Sequence, residues 1–276
     1  MPGESGGSAK AQARRREIED KEMPFWDHVA ELAQRLRVVI ISYLVALGAI
    51  VILPANPGSF VDLLWGQMSY RPLVSAVLEK MKEDLLPSGV TLIGTTVEDP
   101  ITLYFEVSMV IAFIVISPIF AYEVYAFVAP GLYAHEKLFL KRFVAGFTAA
   151  FIAGVVYAYY VILPITFRIL FMFTRFVGAE QVFSVRNFYE LVFLGIISVG
   201  LFFTLPVFIV LAVKFGLFDV GVLTRYRRYI YVAVFVITAI LTPDPTPVSM
   251  SFLSIPFIVM YELSIFVARR VKPIEL

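Results

Sequence analysis

From Phe143 to Phe167, and again from Leu191 to Val213, the chain carries no charged side chain. At about 1.5 Å of rise per residue, a helix through either run outreaches the roughly 30 Å hydrocarbon core of a bilayer. Runs of this length are too long for the core helices of a soluble domain. The composition agrees: 59% of residues are hydrophobic and 16% are charged, where soluble domains carry about 25% charged residues. These features define an all-α, polytopic membrane protein.

Six spans follow from the apolar segments and their punctuation. They cover about residues 35–53, 101–125, 143–164, 188–213, 228–241 and 248–268. The first stops at the cluster Pro54-Ala55-Asn56-Pro57-Gly58 and the fifth at Thr242-Pro243-Asp244-Pro245, neither of which continues a helix. Pro118, Pro206 and Pro256 fall inside spans and predict kinks. Spans five and six are expected to be short; from Tyr229 to Leu241 a helix reaches only about 20 Å. Such a mismatch is relieved by thinning the bilayer or recruiting neighbouring helices. In the third span Gly146, Ala150, Gly154 and Ala158 recur every fourth residue, a small-residue face read as internal packing rather than oligomerisation. Between spans one and two, Leu73, Val77, Met81 and Leu85 predict an amphipathic helix capping the outer face.

Lysine and arginine set the orientation. With the N-terminus inside, 17 of the 23 basic residues fall on the cytoplasmic side and 6 on the other, so both termini are expected in the cytoplasm. Residues 1–22 are polar, contain Arg14-Arg15-Arg16 and lack an apolar signal-peptide core. They read as a disordered basic tail near anionic headgroups, ahead of a single membrane domain over 23–272.

Catalytic chemistry finds little support. There is no cysteine, and the two histidines, His28 and His135, lie in different segments. No zinc helix, nucleophile elbow or phosphate-binding glycine loop is present. No metal, cofactor or nucleic-acid partner is expected, and an intramembrane protease fails for want of a nucleophile or metal set. What stands out is acidic. Along Phe25 to Leu36 a 3.6-residue period puts Val29, Leu32 and Leu36 on one face and His28, Glu31 and Arg35 on a polar strip. A solvated Glu31–Arg35 pair at i,i+4 would account for that strip equally well. Glu136 adds a second carboxylate on the same side, in the loop Phe127-Val128-Ala129-Pro130-Gly131-Leu132-Tyr133-Ala134-His135-Glu136. Two carboxylates at the interface can each take a guanidinium in a bidentate geometry that lysine does not reproduce. Glu106, Glu123, Glu190 and Glu262 lie toward span ends and read as solvated there rather than as a proton relay. Asp244 reads equally as a turn former or as a coupling residue.

The motif His28-Val29-Ala30-Glu31-Leu32, the loop Phe127 to Glu136, Ala158-Tyr159 with Pro164, Leu241-Thr242-Pro243-Asp244, and Tyr261-Glu262 together resemble the TatC family. Its members form the polytopic core of the twin-arginine protein translocase. The resemblance covers about Pro24 to Arg270. It implies a receptor that binds signal peptides bearing paired arginines and moves folded proteins across the cell membrane, driven by the proton-motive force. On the same footing Glu31 and Glu136 receive the arginines, Phe127 and Pro130 shape the site, and Leu32 and His135 belong to it. Tyr159, Thr204, Asp244 and Glu262 are coupling or structural candidates. Single-span TatA- and TatB-type subunits would dock on the short fifth and sixth spans within an oligomeric complex. The implied architecture is a six-helix bundle with a concave face. Two positions depart from the family pattern: Ala33 replaces an arginine after the Glu-Leu pair, and Thr204 replaces an acidic or amide residue before Pro206. Thr204 is therefore expected to make only a weak hydrogen bond. The alternative, a secondary transporter for a small anion, would call for an inverted repeat and broken helices meeting at the midplane. No convincing repeat appears, and the charged candidates sit at the interface.

Overall fold

Helix α1 runs without a break from Phe25 to Ile52, so the interfacial segment and the first span are one rod. The computed structural model describes residues 25–55, 71–87, 89–128, 137–178, 180, 182–217, 219–241 and 247–270. Expectations for the tail 1–22 and for Pro130, His135, Glu136 and Asp244 fall outside these residues. After α1 come the short helix α2 (Leu73–Leu85), strand β1 (Thr91–Ile93) and helix α3 (Asp99–Val128). Helix α4 (Lys137–Tyr157) passes through a π-helical turn at Ala158–Ile162 into α5 (Leu163–Val177). Strand β2 (Val182–Ser184), α6 (Val185–Lys214), α7 (Val220–Arg225), α8 (Arg227–Leu241) and α9 (Pro247–Ala268) complete the order.

Among the described residues, five helices are long and apolar enough to cross a membrane: α1, α3, the continuous α4–α5 rod, α6 and α9. The remaining expected span is α8, whose 15 residues reach only about 22 Å. It is short, as expected. The sixth span, α9, was expected to be short beside it; its 22 residues reach about 33 Å, enough to cross. Pro118, Pro206 and Pro256 all lie inside helices.

The third span departs from its expected end at Pro164. A proline cannot donate to the carbonyl of the preceding turn, and its ring crowds that carbonyl. Here the chain widens instead of stopping: the Leu163 N–H reaches back five residues to the Ala158 carbonyl, the mark of a π-bulge. Pro164 then sits in the first turn of α5, where its missing N–H costs little. The rod continues to Val177 and closes on Gly178, whose φ of 70° makes a left-handed cap.

The small-residue stripe faces inward. Gly154 lies so close to α6 that a Cβ there would stand 2.9 Å from Gly200 Cα and from the Val199 carbonyl oxygen. Ala150 and Ala158 are buried on the same side. Toward one end of this contact, Phe143, Phe147, Phe151, Phe113, Phe120 and Phe208 form a ring-on-ring cluster. Tyr125 of α3 packs into it, 5.2 Å from the Phe143 ring. The end of α3 is thereby clamped between α4 and α6, which matters for the site below.

At the opposite end, α2 docks on the bundle through Val74, Met81 and Leu85, which are buried, and the Tyr189 hydroxyl donates to the Leu78 carbonyl at 2.7 Å. Strands β1 and β2 pair in parallel, Thr91 with Val182 through Ile93 with Ser184. Asp99 opens α3 and accepts four hydrogen bonds, from the backbone N–H and hydroxyl of both Thr95 and Thr96. The expected amphipathic cap is thus present, with Leu73 and Val77 only half-buried.

Candidate functional site

Helices α1 and α3 lie antiparallel, and three polar contacts set their register. Arg35 meets Glu123, the Tyr43 hydroxyl donates to the Met109 carbonyl, and the Tyr104 hydroxyl donates to the Val51 carbonyl. As residue number rises along α1 it falls along α3. The first of these contacts sits where α1 begins and α3 ends. Arg37, Arg142, Lys214, Arg228 and Arg269 belong to the same end of the bundle, hereafter the basic end.

There, one guanidinium bridges two carboxylates. Glu31 and Arg35 are four residues apart on α1 and so share a face. Arg35 donates to Glu31 Oε1 from Nε at 2.9 Å and from Nη2 at 2.5 Å. Its Nη1 reaches Glu123 Oε2 at 3.2 Å. All three side chains are partly withdrawn from solvent, with 19% of Glu31, 26% of Arg35 and 13% of Glu123 exposed. Glu31 uses only one oxygen: Oε2 is buried and finds no hydrogen-bond partner among the described residues. A buried carboxylate oxygen left this way is costly and invites a donor.

These groups line a cleft of about 590 Å³ with Asp27, Ala30, Gln34, Val38 and Tyr122. Three carboxylates and one guanidinium leave its lining at a formal charge of −2. Phe127 lies one turn beyond Glu123, half-buried, in the last turn of α3 rather than in the loop that follows. An arginine-bearing ligand entering the cleft would meet anionic acceptors in a part-desolvated setting that strengthens them.

The sequence-derived candidates separate into several places. Glu31 lines the cleft, while Leu32 is 45% exposed and lies outside it. Tyr159 belongs to the π-turn and donates at 2.7 Å to Asp84 of α2, which also pairs with Lys80 at 2.8 Å. The Lys80 ammonium and then the Tyr159 hydroxyl hold the Asp84 carboxyl below its ordinary range. Thr204 is buried and donates at 2.7 Å to the Leu201 carbonyl of its own helix. Glu262 is not merely solvated: it pairs with Arg227 at 2.9 Å and accepts from the Tyr231 hydroxyl, joining α8 to α9. Glu190 is exposed, as expected. Glu106 keeps Oε2 buried without a hydrogen-bond partner among the described residues. No group of three or more His, Asp or Glu residues there could hold a metal ion.

Glu123 corrects the sequence reading most. Taken as an end-of-helix acid in solvent, it is in fact part-buried and ion-paired across helices. Its signal was present, since Glu123 stands at i,i+4 from Phe127, the first residue of the loop motif. What the sequence lacked was the pairing of α3 with α1.

A bundle of long apolar helices, with a net-anionic cleft at its basic end, is a polytopic membrane protein. The family model described as Sec-independent protein translocase protein (TatC) matches residues 27–256, and the chain belongs to the TatC family. It is 30% identical to the Sec-independent protein translocase protein TatC of Azotobacter chroococcum over 253 residues, 92% of each chain. Against the protein of the same name from Escherichia coli K12 it is 30% identical over 252 residues, covering 91% of this chain and 90% of that one. A crystal structure of the twin-arginine translocase receptor TatC superposes with a TM-score of 0.69 at 27% identity, covering 88% of this chain and 99% of that one. A second, in the detergent DDM, gives 0.70 at 28% identity over 87% and 99%.

Proposed function

We propose that this chain is the receptor subunit of a twin-arginine translocase in the cytoplasmic membrane, with both termini in the cytoplasm. It binds the paired arginines of signal peptides on folded cargo and supports their export at the expense of the proton-motive force. The observation that carries this reading is the cleft itself: its lining is net anionic, and Glu31 and Glu123 already hold a guanidinium. Glu31 takes one ligand arginine and Glu136, from the loop after α3, takes the other. Phe127 and Pro130 shape the space beside them, with His135 in the same loop. The apolar part of the signal lies along exposed apolar residues of α1 such as Leu36, Ile40 and Leu44.

Single-span partner subunits dock against α8, where a 15-residue helix leaves the bilayer underfilled and a neighbouring helix relieves the mismatch. An anion transporter fits poorly, because the cleft would repel its substrate.

The test is site-specific crosslinking of a twin-arginine signal to the full chain in membranes. Glu136→Gln is expected to abolish the crosslink while the protein remains inserted and helical. Undiminished crosslinking would remove Glu136 from the site.

A further inference from the structure

The cleft is not vacant at its charged centre; the chain fills it with its own arginine. Arg35 spends three of its donor nitrogens on Glu31 and Glu123, the same kind of bond a ligand guanidinium would make. We propose that Arg35 is a built-in competitor: it occupies the carboxylates of the resting receptor and must be displaced by the incoming arginine, with Glu123 as the second carboxylate it guards. This rests on the reading of the cleft as the seat of an arginine pair.

The geometry supplies a route for the exchange. Glu31 presents two faces, one taken and one free. Oε1 accepts both Arg35 contacts, while Oε2 is buried and unpartnered among the described residues. A ligand N–H can therefore bond Oε2, once a small shift of the surrounding side chains uncovers it, while Oε1 still holds Arg35. The weakest link of Arg35 is its 3.2 Å contact with Glu123, against 2.5 and 2.9 Å to Glu31. Once the ligand shares Glu31, that link gives way and Glu123 becomes available. Arg35, already 26% exposed, swings toward the headgroup region.

Charge explains why such a competitor favours two arginines over one. With Arg35 in place the lining stands at −2. A ligand with one cation exchanges one guanidinium for another and must beat a tethered rival whose effective concentration is high. A ligand with two cations replaces the rival and also lowers the lining's charge from −2 to −1. Lysine competes badly in either position, because a point charge does not bridge two carboxylates as a planar fork does. The competitor thus raises the threshold for partial signals more than for complete ones.

The experiment uses the full chain in lipid nanodiscs and a synthetic signal peptide in three forms: Arg-Arg, Lys-Arg and Gln-Gln. Arg35→Gln is expected to tighten Arg-Arg binding about tenfold, equivalent to about 1.4 kcal/mol, and to tighten Lys-Arg binding more, so that discrimination between them narrows. In a Glu31→Gln background the same substitution should change nothing. If Arg35→Gln loses its helical circular dichroism, Arg35→Lys serves instead, with about threefold tightening expected. Unchanged or weaker Arg-Arg binding in the folded variant, with Glu31→Gln still abolishing it, overturns the competitor and leaves the site standing. Equal wild-type binding of Arg-Arg and Gln-Gln peptides removes the site reading and the competitor with it.

Discussion

The close approach of α4 and α6 at Gly154 can be tested by adding a single methyl group. A Cβ at Gly154 would stand 2.9 Å from Gly200 Cα, from Phe203 Cβ and from the Val199 carbonyl oxygen. Two of those three atoms are backbone, so no rotamer change relieves the clash and the helices themselves must part. Overpacking of this kind costs about 1–3 kcal/mol, and backbone neighbours place it at the upper end. Alanine regains about 0.5–1 kcal/mol of helix propensity over glycine, leaving a net loss of about 1–2 kcal/mol for Gly154→Ala. Gly146 lies on the same stripe two turns earlier, yet a Cβ there would have only Val207 Cγ1 within reach, at 4.0 Å. Gly146→Ala should be neutral or gain about 0.5 kcal/mol from the same propensity term. Reversible unfolding in mixed detergent micelles, titrated with a denaturing detergent, reads both values. Equal losses at the two positions, or no loss at Gly154, would refute the claim that α4 and α6 meet through glycine. Because the phenylalanine cluster clamps Tyr125 between these helices, Gly154→Val should also loosen the end of α3, and with it the cleft proposed to bind the signal peptide.

Two further outcomes follow from the two ends of the bundle. The Asp84 carboxyl is held below its ordinary range by Lys80 and Tyr159, so its contribution is complete above the unfolded value near pH 4 and is lost as pH falls through the lower folded value. Cleavage of α2 by a protease active from acid to neutral pH should rise only in that acid window; Asp84→Asn should show the acid behaviour already at pH 7 and Tyr159→Phe a smaller part of it. At the basic end, Glu262→Gln removes the ion pair to Arg227 while still accepting from Tyr231, and should cost about 0.5–1 kcal/mol. Arg227→Gln combined with Glu262→Gln should cost less than the two single changes added, and strict additivity in micelle unfolding would deny the pair any coupling.

The helical layout was legible because lipid imposes one rule on every span: apolar for long enough, with the backbone satisfied locally. That rule located α3, α6 and α9 within a few residues, and it showed that Arg227–Leu241 is short. It misjudged Pro164, because a proline ends a helix only when the chain cannot widen around it, and five residues of π-turn do that here. The site was half legible. Glu31 and its i,i+4 partner Arg35 follow from periodicity alone, and the outer capping helix from its apolar spacing. Glu123 was not recognisable as a partner, because nothing in one sequence says that α1 and α3 lie side by side in antiparallel register. The same limit hid Arg227 behind Glu262 and Asp84 behind Tyr159, both contacts between elements distant in the chain.

The distribution of charge at the basic end bears on selectivity. Among the described residues there, arginines and lysines outnumber acids. A generally cationic peptide is therefore repelled by most of this face. Of the described acids at that end, Glu262 is neutralised by Arg227 and held by Tyr231. Asp219 stands exposed at the start of α7, where the helix dipole favours it. Uncompensated negative charge then concentrates in the cleft formed by Asp27, Glu31 and Glu123. A ligand gains most when its cations are few, adjacent and able to fork between carboxylates, with apolar residues beside them to lie along α1. More lysines elsewhere in the ligand would add repulsion from the rim without adding acceptors in the cleft. The basic surface around the cleft thus sharpens its preference.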